Sequence, residues 1–228
     1  TYNLLTKGGI TQVDFPIHDY LVSLISYLFS LDLVFTFRSY NLLYSLIGLF
    51  FFYRIALRIG ISGIRAVFIT TFLYTLPFFV YYQNGFLPSI PSFSNFLIGF
   101  YFFISFLDYR LKRDIALSAF FLTLAALARS PYLIFLIAAP ATLLWIQWKN
   151  KKIDIYSFTP YIIGIVIFIF YLKYNASLGE EYGSMFLLSF LSPESFSEFG
   201  NIISKALDRW SDQLLSPFHA ILLVASLM

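Results

Sequence analysis

The chain has 228 residues, of which 59% are hydrophobic, 21% aromatic and 12% charged, and it carries a formal net charge of +3. Soluble domains carry about 25% charged residues, so this composition excludes a soluble monomer, and at about 20 apolar residues per crossing the length leaves room for roughly six or seven membrane helices. The basic residues fall in short loops between apolar runs rather than on one stripe, which argues against a nucleic-acid partner and for membrane orientation. There is no cysteine, so a metal would have to be held by carboxylate or imidazole.

In chain order, residues 1–15 (TYNLLTKGGITQVDF) are polar and carry a Gly8-Gly9 turn signal, which predicts an outer loop at the water interface. Pro16 suits a first helical turn, and residues 16–33 are predicted as a juxtamembrane helix, with a spanning helix as the alternative. Within residues 40–172 six spanning helices are expected, at 40–57, 64–82, 92–108, 114–128, 131–148 and 156–172. Arg129-Ser130-Pro131 forms the tight hairpin between the fourth and fifth. Residues 173–214 are expected to be an outer loop with an amphipathic helix, since Ile202, Ile203, Leu207, Trp210 and Leu214 recur at helical spacing. Residues 215–228 read as a truncated spanning helix. The expected fold is all-α, a polytopic transmembrane helical bundle with juxtamembrane amphipathic helices, and the whole chain reads as one transmembrane domain and a fragment of a larger protein.

Parity gives a separate test of this layout. Arg54, Arg58 and Arg65 fall in the first inter-helix loop, Arg110, Lys112 and Arg113 in the third, and Lys149, Lys151 and Lys152 in the fifth. Alternation puts all three loops on one side, which the excess of Lys and Arg marks as cytoplasmic. Nine of the twelve acids lie on the other side, so chemistry is expected at the outer face of a multi-pass protein, in a bacterial inner membrane.

No phosphate-binding glycine loop, HExxH or GxSxG occurs. The candidate groups are polar residues of the outer face. Asp14, His18 and Asp19 lie within six residues around Pro16, a spacing that could hold a divalent cation or activate a hydroxyl; the plainer reading is carboxylates near a helix N-terminus favoured by its dipole. Arg129 is costly in an apolar hairpin unless it is paired or snorkelling, and an anionic phosphate suits its fork. Arg38, at the entry to the first spanning helix, carries the same expectation or is a helix-end anchor. Gln83 and Asn84 in YYQNGFLPSIPSF could hydrogen-bond a sugar or acceptor hydroxyl from a polar loop, or belong to a plain turn.

The run DFPIHDYLVSLISYLFSLDLVFTFRSYNLLYSLIGLFFFYRIALRI resembles the part of GT-C glycosyltransferases in which a Pro-containing juxtamembrane helix leads through a short polar link and an Arg into a spanning helix. Relatives of that kind include the protein O-mannosyltransferases and the lipid A aminoarabinose transferases. YYQNGFLPSIPSF resembles their second outer loop and LAALARSPYLIFLIAAPATLLW their hairpin, so that the likeness runs over about residues 10–172. It implies an inverting, polyprenyl-phosphate-dependent enzyme that moves a sugar to an acceptor at the outer face. It matches Asp14 to an acidic position before the juxtamembrane Pro, with a supporting role and a divalent metal ion as candidate cofactor. Arg129 matches a basic residue that holds the donor phosphate. The family's principal acid, in its first outer loop, would precede Thr1. Where the family's second outer loop often has Asp beside Pro, this chain reads Pro88-Ser89-Ile90-Pro91. A polytopic transporter or lipid flippase is the alternative, against which stands the small number of polar groups in the predicted spans.

Overall fold

The computed structural model describes residues 14–151, 154–182, 197 and 200–205, and every element among them is helical. Helix α1 spans Ile17–Phe29. It stops where Ser30 turns left-handed (φ 51°) and Leu31 N–H reaches back to the Ser26 carbonyl, a Schellman closure, four residues before the expected end at 33. The Asp32 carboxylate then accepts from Phe35 N–H at 2.9 Å and starts α2 (Leu33–Arg58) seven residues earlier than hydropathy placed it. With 26 residues, α2 is about 39 Å long.

The expected span at 64–82 is two helices, α3 (Gly63–Thr75) and α4 (Pro77–Asn84), bent by 60° at Leu76. Pro77 has no N–H to continue α3 and is preset for the first turn of a new helix, so the chain breaks and restarts there. The predicted polar loop after it shrinks to residues 85–88, because Gln83 and Asn84 close α4 and Ser89 opens α5 (Ser89–Tyr109). Helix α6 (Lys112–Ala128) and α7 (Leu133–Lys149) enclose the expected hairpin, a 3₁₀ turn at Ser130–Tyr132. Helix α8 runs over Thr159–Tyr182, ten residues past its predicted end, and so occupies the start of what was expected to be an outer loop. Residues 200–205 are helical. The rest of the predicted amphipathic helix, the loop at 1–13 and the seventh span from 215 lie outside the described residues.

Among the described residues four helices are long and apolar enough to cross a membrane, and the bent α3–α4 pair makes a fifth if it counts as one crossing. They mark the chain as a membrane protein. Helix α6, predicted as a span, has 17 residues, about 25 Å, and is the central column that runs from the basic end to the opposite end. Its Ile115, Ala119, Leu122 and Ala126 are buried against α5, α7 and α8. Small residues allow that approach: a Cβ on Gly99 of α5 would meet the Leu122 backbone nitrogen at 3.0 Å and its Cγ at 2.8 Å. The outer sides of α1, α7 and α8 are apolar, with Tyr27, Trp145 and Phe170 well exposed, as helices facing lipid require.

The basic loops gather at one end. Arg58 at the end of α2 pairs with Asp108 at the end of α5 at 2.9 Å, and one cavity is lined both by Arg110 and Lys112 and by Gln147 and Asn150. The opposite end holds Asp14, the start of α5 and the α6–α7 turn.

Candidate functional site

At that opposite end three segments meet. Helix α6 stops at Ala128, Arg129 takes an extended backbone (φ −152°), and Pro131 helps fix the 3₁₀ turn, so the Arg129 side chain leaves the bundle at the junction. The residues just before α1 dock against the same junction: Phe15 N–H donates to the Leu127 carbonyl at 2.8 Å, satisfying one of the acceptors left open at the end of α6. The Phe15 ring meets the edge of Tyr171 on α8 at 5.2 Å.

This docking places the Asp14 carboxylate beside Arg129. Arg129 Nη1 donates to Asp14 Oδ2 at 3.2 Å and Nη2 donates to Ser89 Oγ, on the first residue of α5, at 2.8 Å. Ser130 Oγ donates to the other Asp14 oxygen at 3.3 Å. The two charged side chains are 30% and 23% exposed, enough shielding to strengthen their attraction and enough access for a ligand to reach them. Arg129 and Asp14, both among the candidates expected at the outer face, are therefore in direct contact across 115 residues of chain. Asp14 does not cap α1. Its carboxylate goes to the hairpin, and α1 begins after Pro16 with no side-chain cap.

Arg38 lies elsewhere at this end. It is in the second turn of α2, exposed, with its guanidinium 5.9 Å from the Phe86 ring. It lines a cavity of about 410 Å³ with Ser39, Tyr74, Thr75, Gln83 and Asn84, between α2 and the α3–α4 break. Gln83 and Asn84 thus stand with Arg38, although Gln83 is nearly buried and spends its amide on Ser45 Oγ at 2.8 Å, while Asn84 Nδ2 caps back onto the Val80 carbonyl. A second hollow, about 800 Å³, runs along the other side of α4 and shares Val80 and Asn84 with the first.

His18 points inward, away from the clamp. Asn95 Nδ2 of α5 donates to its Nε2 at 3.3 Å, which leaves the ring proton on Nδ1, 2.7 Å from the Tyr40 hydroxyl of α2. Tyr44 closes the pocket edge-on. Burial pushes the imidazole down to about 4, so the ring is neutral at ordinary pH. Asp19, half-buried, has its carboxyl raised by burial. The three residues that the sequence groups around Pro16 therefore separate. Among the described residues no three His, Asp or Glu side chains gather as metal ligands, and Asp14 is the one carboxylate of the clamp.

Ser89, Ser130, Asn95 and Tyr40 had no local signal to single them out; each enters through a partner 22 to 116 residues away. The bundle also holds buried polar atoms that find no partner among the described residues, the side-chain oxygens of Asn41 and Asn95.

No family model, no curated protein and no solved structure matches the chain.

Proposed function

We propose that the protein is a membrane glycosyltransferase that moves a sugar from a polyprenyl-phosphate donor to an acceptor at the outer face of a bacterial inner membrane, which the chain crosses several times with its basic loops inside. The observation that carries this reading is the Asp14–Arg129–Ser89 clamp, an arginine fork at a helix junction on the end opposite the basic loops. The resemblance to GT-C enzymes adds the reaction class.

The chemistry asks little of the protein. The acceptor oxygen attacks the anomeric carbon as a base removes its proton, the carbon–oxygen bond to phosphate breaks on the opposite face, and the electron pair leaves with the phosphate. Arg129 stabilises the charge that grows on that phosphate, and its fork suits two oxygens. Asp14 holds the fork in place through Nη1 and, with Ser130, supports the acceptor side. A divalent ion, if the reaction used one, would find Asp14 as its one carboxylate here among the described residues and would supply charge neutralisation for the leaving phosphate. The resemblance assigns the base itself to an acid of the family's first outer loop. Arg38, exposed over its cavity, gives the donor phosphate a first contact, and Gln83 and Asn84 line the same cavity for sugar or acceptor hydroxyls.

A second reading, a transporter or flippase, has its own support. The break at Leu76–Pro77 is a broken helix, and Asn41, Ser45, Gln83 and Asn95 are buried inside the bundle, which is more internal polarity than hydropathy suggested. Full-length protein in vesicles, supplied with a labelled short-chain polyprenyl-phosphate sugar, separates the two. Free polyprenyl phosphate and a glycosylated acceptor support the transferase, whereas donor that crosses intact supports the transporter.

A further inference from the structure

The basic end carries a cavity of about 310 Å³ lined by Phe106, Arg110, Lys112, Gln147, Asn150 and Asp154. Its walls come from the α5–α6 turn and from the end of α7 with the segment after it. The turn is unusual: Arg110 ends α5 in the left-handed region (φ 56°), and its guanidinium lies 5.5 Å from the Phe106 ring rather than on a carboxylate. Two of the three nearby acids are engaged elsewhere. Asp108 pairs with Arg58, and Asp114 accepts from Ser105 at 2.6 Å and from Arg113. Asp154 is in the lining, and its Oδ1 accepts from Tyr156 N–H at 3.2 Å, which ties it to the turn that it caps. The opening of α6 lies at the same turn, with Leu111 as a cap residue that offers no side-chain acceptor.

Arg110, Lys112 and the helix opening give the cavity a positive wall, and the amides of Gln147 and Asn150 can orient an anion's oxygens. Gln147 is nearly buried and rigid: its Nε2 donates to Ser157 Oγ at 2.9 Å and its Oε1 accepts from Asp154 N–H at 2.7 Å. Neighbours in chain fix the depth. Trp148 beside Gln147, and Ile155 and Tyr156 just after Asp154, are 73%, 73% and 81% exposed, and exposed aromatics at a helix end stand at the headgroup level of a bilayer. A soluble anion has no use for that depth.

We infer that this cavity binds the phosphate headgroup of an anionic membrane lipid in the leaflet that the basic end faces, with Arg110 and Lys112 as the phosphate contacts and Asn150 on the glycerol side. Basic pockets between membrane helices bind acidic headgroups in this way, and each cation near the surface adds an attraction that loss of charge removes. The site is separate from the Asp14–Arg129 clamp and stands whether or not the protein transfers sugars.

The test is native mass spectrometry of the full chain in detergent, titrated with short-chain phosphatidylglycerol, with phosphatidylcholine, and with inorganic phosphate alone. One phosphatidylglycerol retained in preference to phosphatidylcholine is expected. The double variant Arg110→Asn/Lys112→Gln should weaken it about 30-fold, and the double variant Arg54→Gln/Arg65→Gln, the same loss of charge on α2 and α3 at that end, should leave it unchanged. Asn tolerates the left-handed backbone at 110, and an unaltered melting temperature without lipid shows that the variant is folded. Equal retention by wild type and the first double variant overturns the site. Inorganic phosphate bound as tightly as the lipid, and lost in the first double variant, overturns the lipid assignment.

Discussion

Two arginines at the polar end of the bundle are held in opposite ways. Arg129 is fixed by Asp14 and Ser89 at the meeting of α5, α6 and the segment before α1, with its charge already half answered. Arg38 lies exposed over a cavity between α2 and the α3–α4 break, against a ring. On the proposed transferase reading, the difference divides their work. A side chain held rigidly by a counter-charge costs little to organise when charge develops beside it, so Arg129 suits the transition state. An exposed cation attracts a phosphate without displacing a partner, so Arg38 suits binding alone.

The comparison breaks first at Arg129. Arg129→Ala should cost about 100- to 1000-fold in turnover, comparable to removing one preorganised donor, and Arg129→Lys should recover part of it because the charge survives and the fork is lost. A steady-state transfer assay on the full-length protein checks this. Next comes the frame that aligns the clamp. Gly99→Ala forces a Cβ against Leu122 where α5 and α6 are closest, and an overpacked contact of that kind costs about 1–3 kcal/mol, so the melting temperature should fall and turnover with it, as Ser89 and Arg129 lose register. Arg38→Ala should raise the donor KM about tenfold with kcat and melting temperature unchanged; a fall in kcat instead would merge the two arginines into one site.

The smallest effect concerns pH. His18 is held well below its ordinary value, so between about pH 6.5 and 4 the unfolded chain binds a proton that the folded chain refuses. Stability therefore rises with pH through that window and is lost on acidification, by at most about 1.4 kcal/mol per pH unit. Asp19, with its carboxyl raised, works in the opposite sense at the acid edge, so the comparison of wild type with His18→Gln is the informative one. Melting curves at pH 7 and pH 5 should differ less in His18→Gln than in wild type.

Much of the architecture was legible in the residues, for definite reasons. Continuous apolar runs predicted the long helices, and Arg129-Ser130-Pro131 predicted the hairpin because proline cannot continue a helix. Parity placed the basic loops together, and the Arg58–Asp108 pair with the Arg110 cavity bears that out. What hydropathy misplaced were boundaries set by single polar atoms. The Asp32 cap lengthened α2, and the missing N–H of Pro77 broke a run that is apolar on both sides of it. Asp14 and Arg129 were each marked out by charge near a proline. Their partner Ser89 was not, because a serine two residues before Pro91 carries no local mark of what it faces. The dispersal of His18 from Asp14 also escaped the sequence, since closeness in chain says nothing of which side of Pro16 each side chain takes.

The most direct test of the central claim is a double-mutant cycle on sugar transfer from a labelled polyprenyl-phosphate donor, using wild type, Asp14→Asn, Arg129→Ala and the double variant of the full-length protein. If the pair acts as one device on the phosphate, wild type transfers label, Asp14→Asn is slower, and the double variant is no slower than Arg129→Ala alone. Losses that multiply, or turnover in Arg129→Ala equal to wild type, would contradict the account.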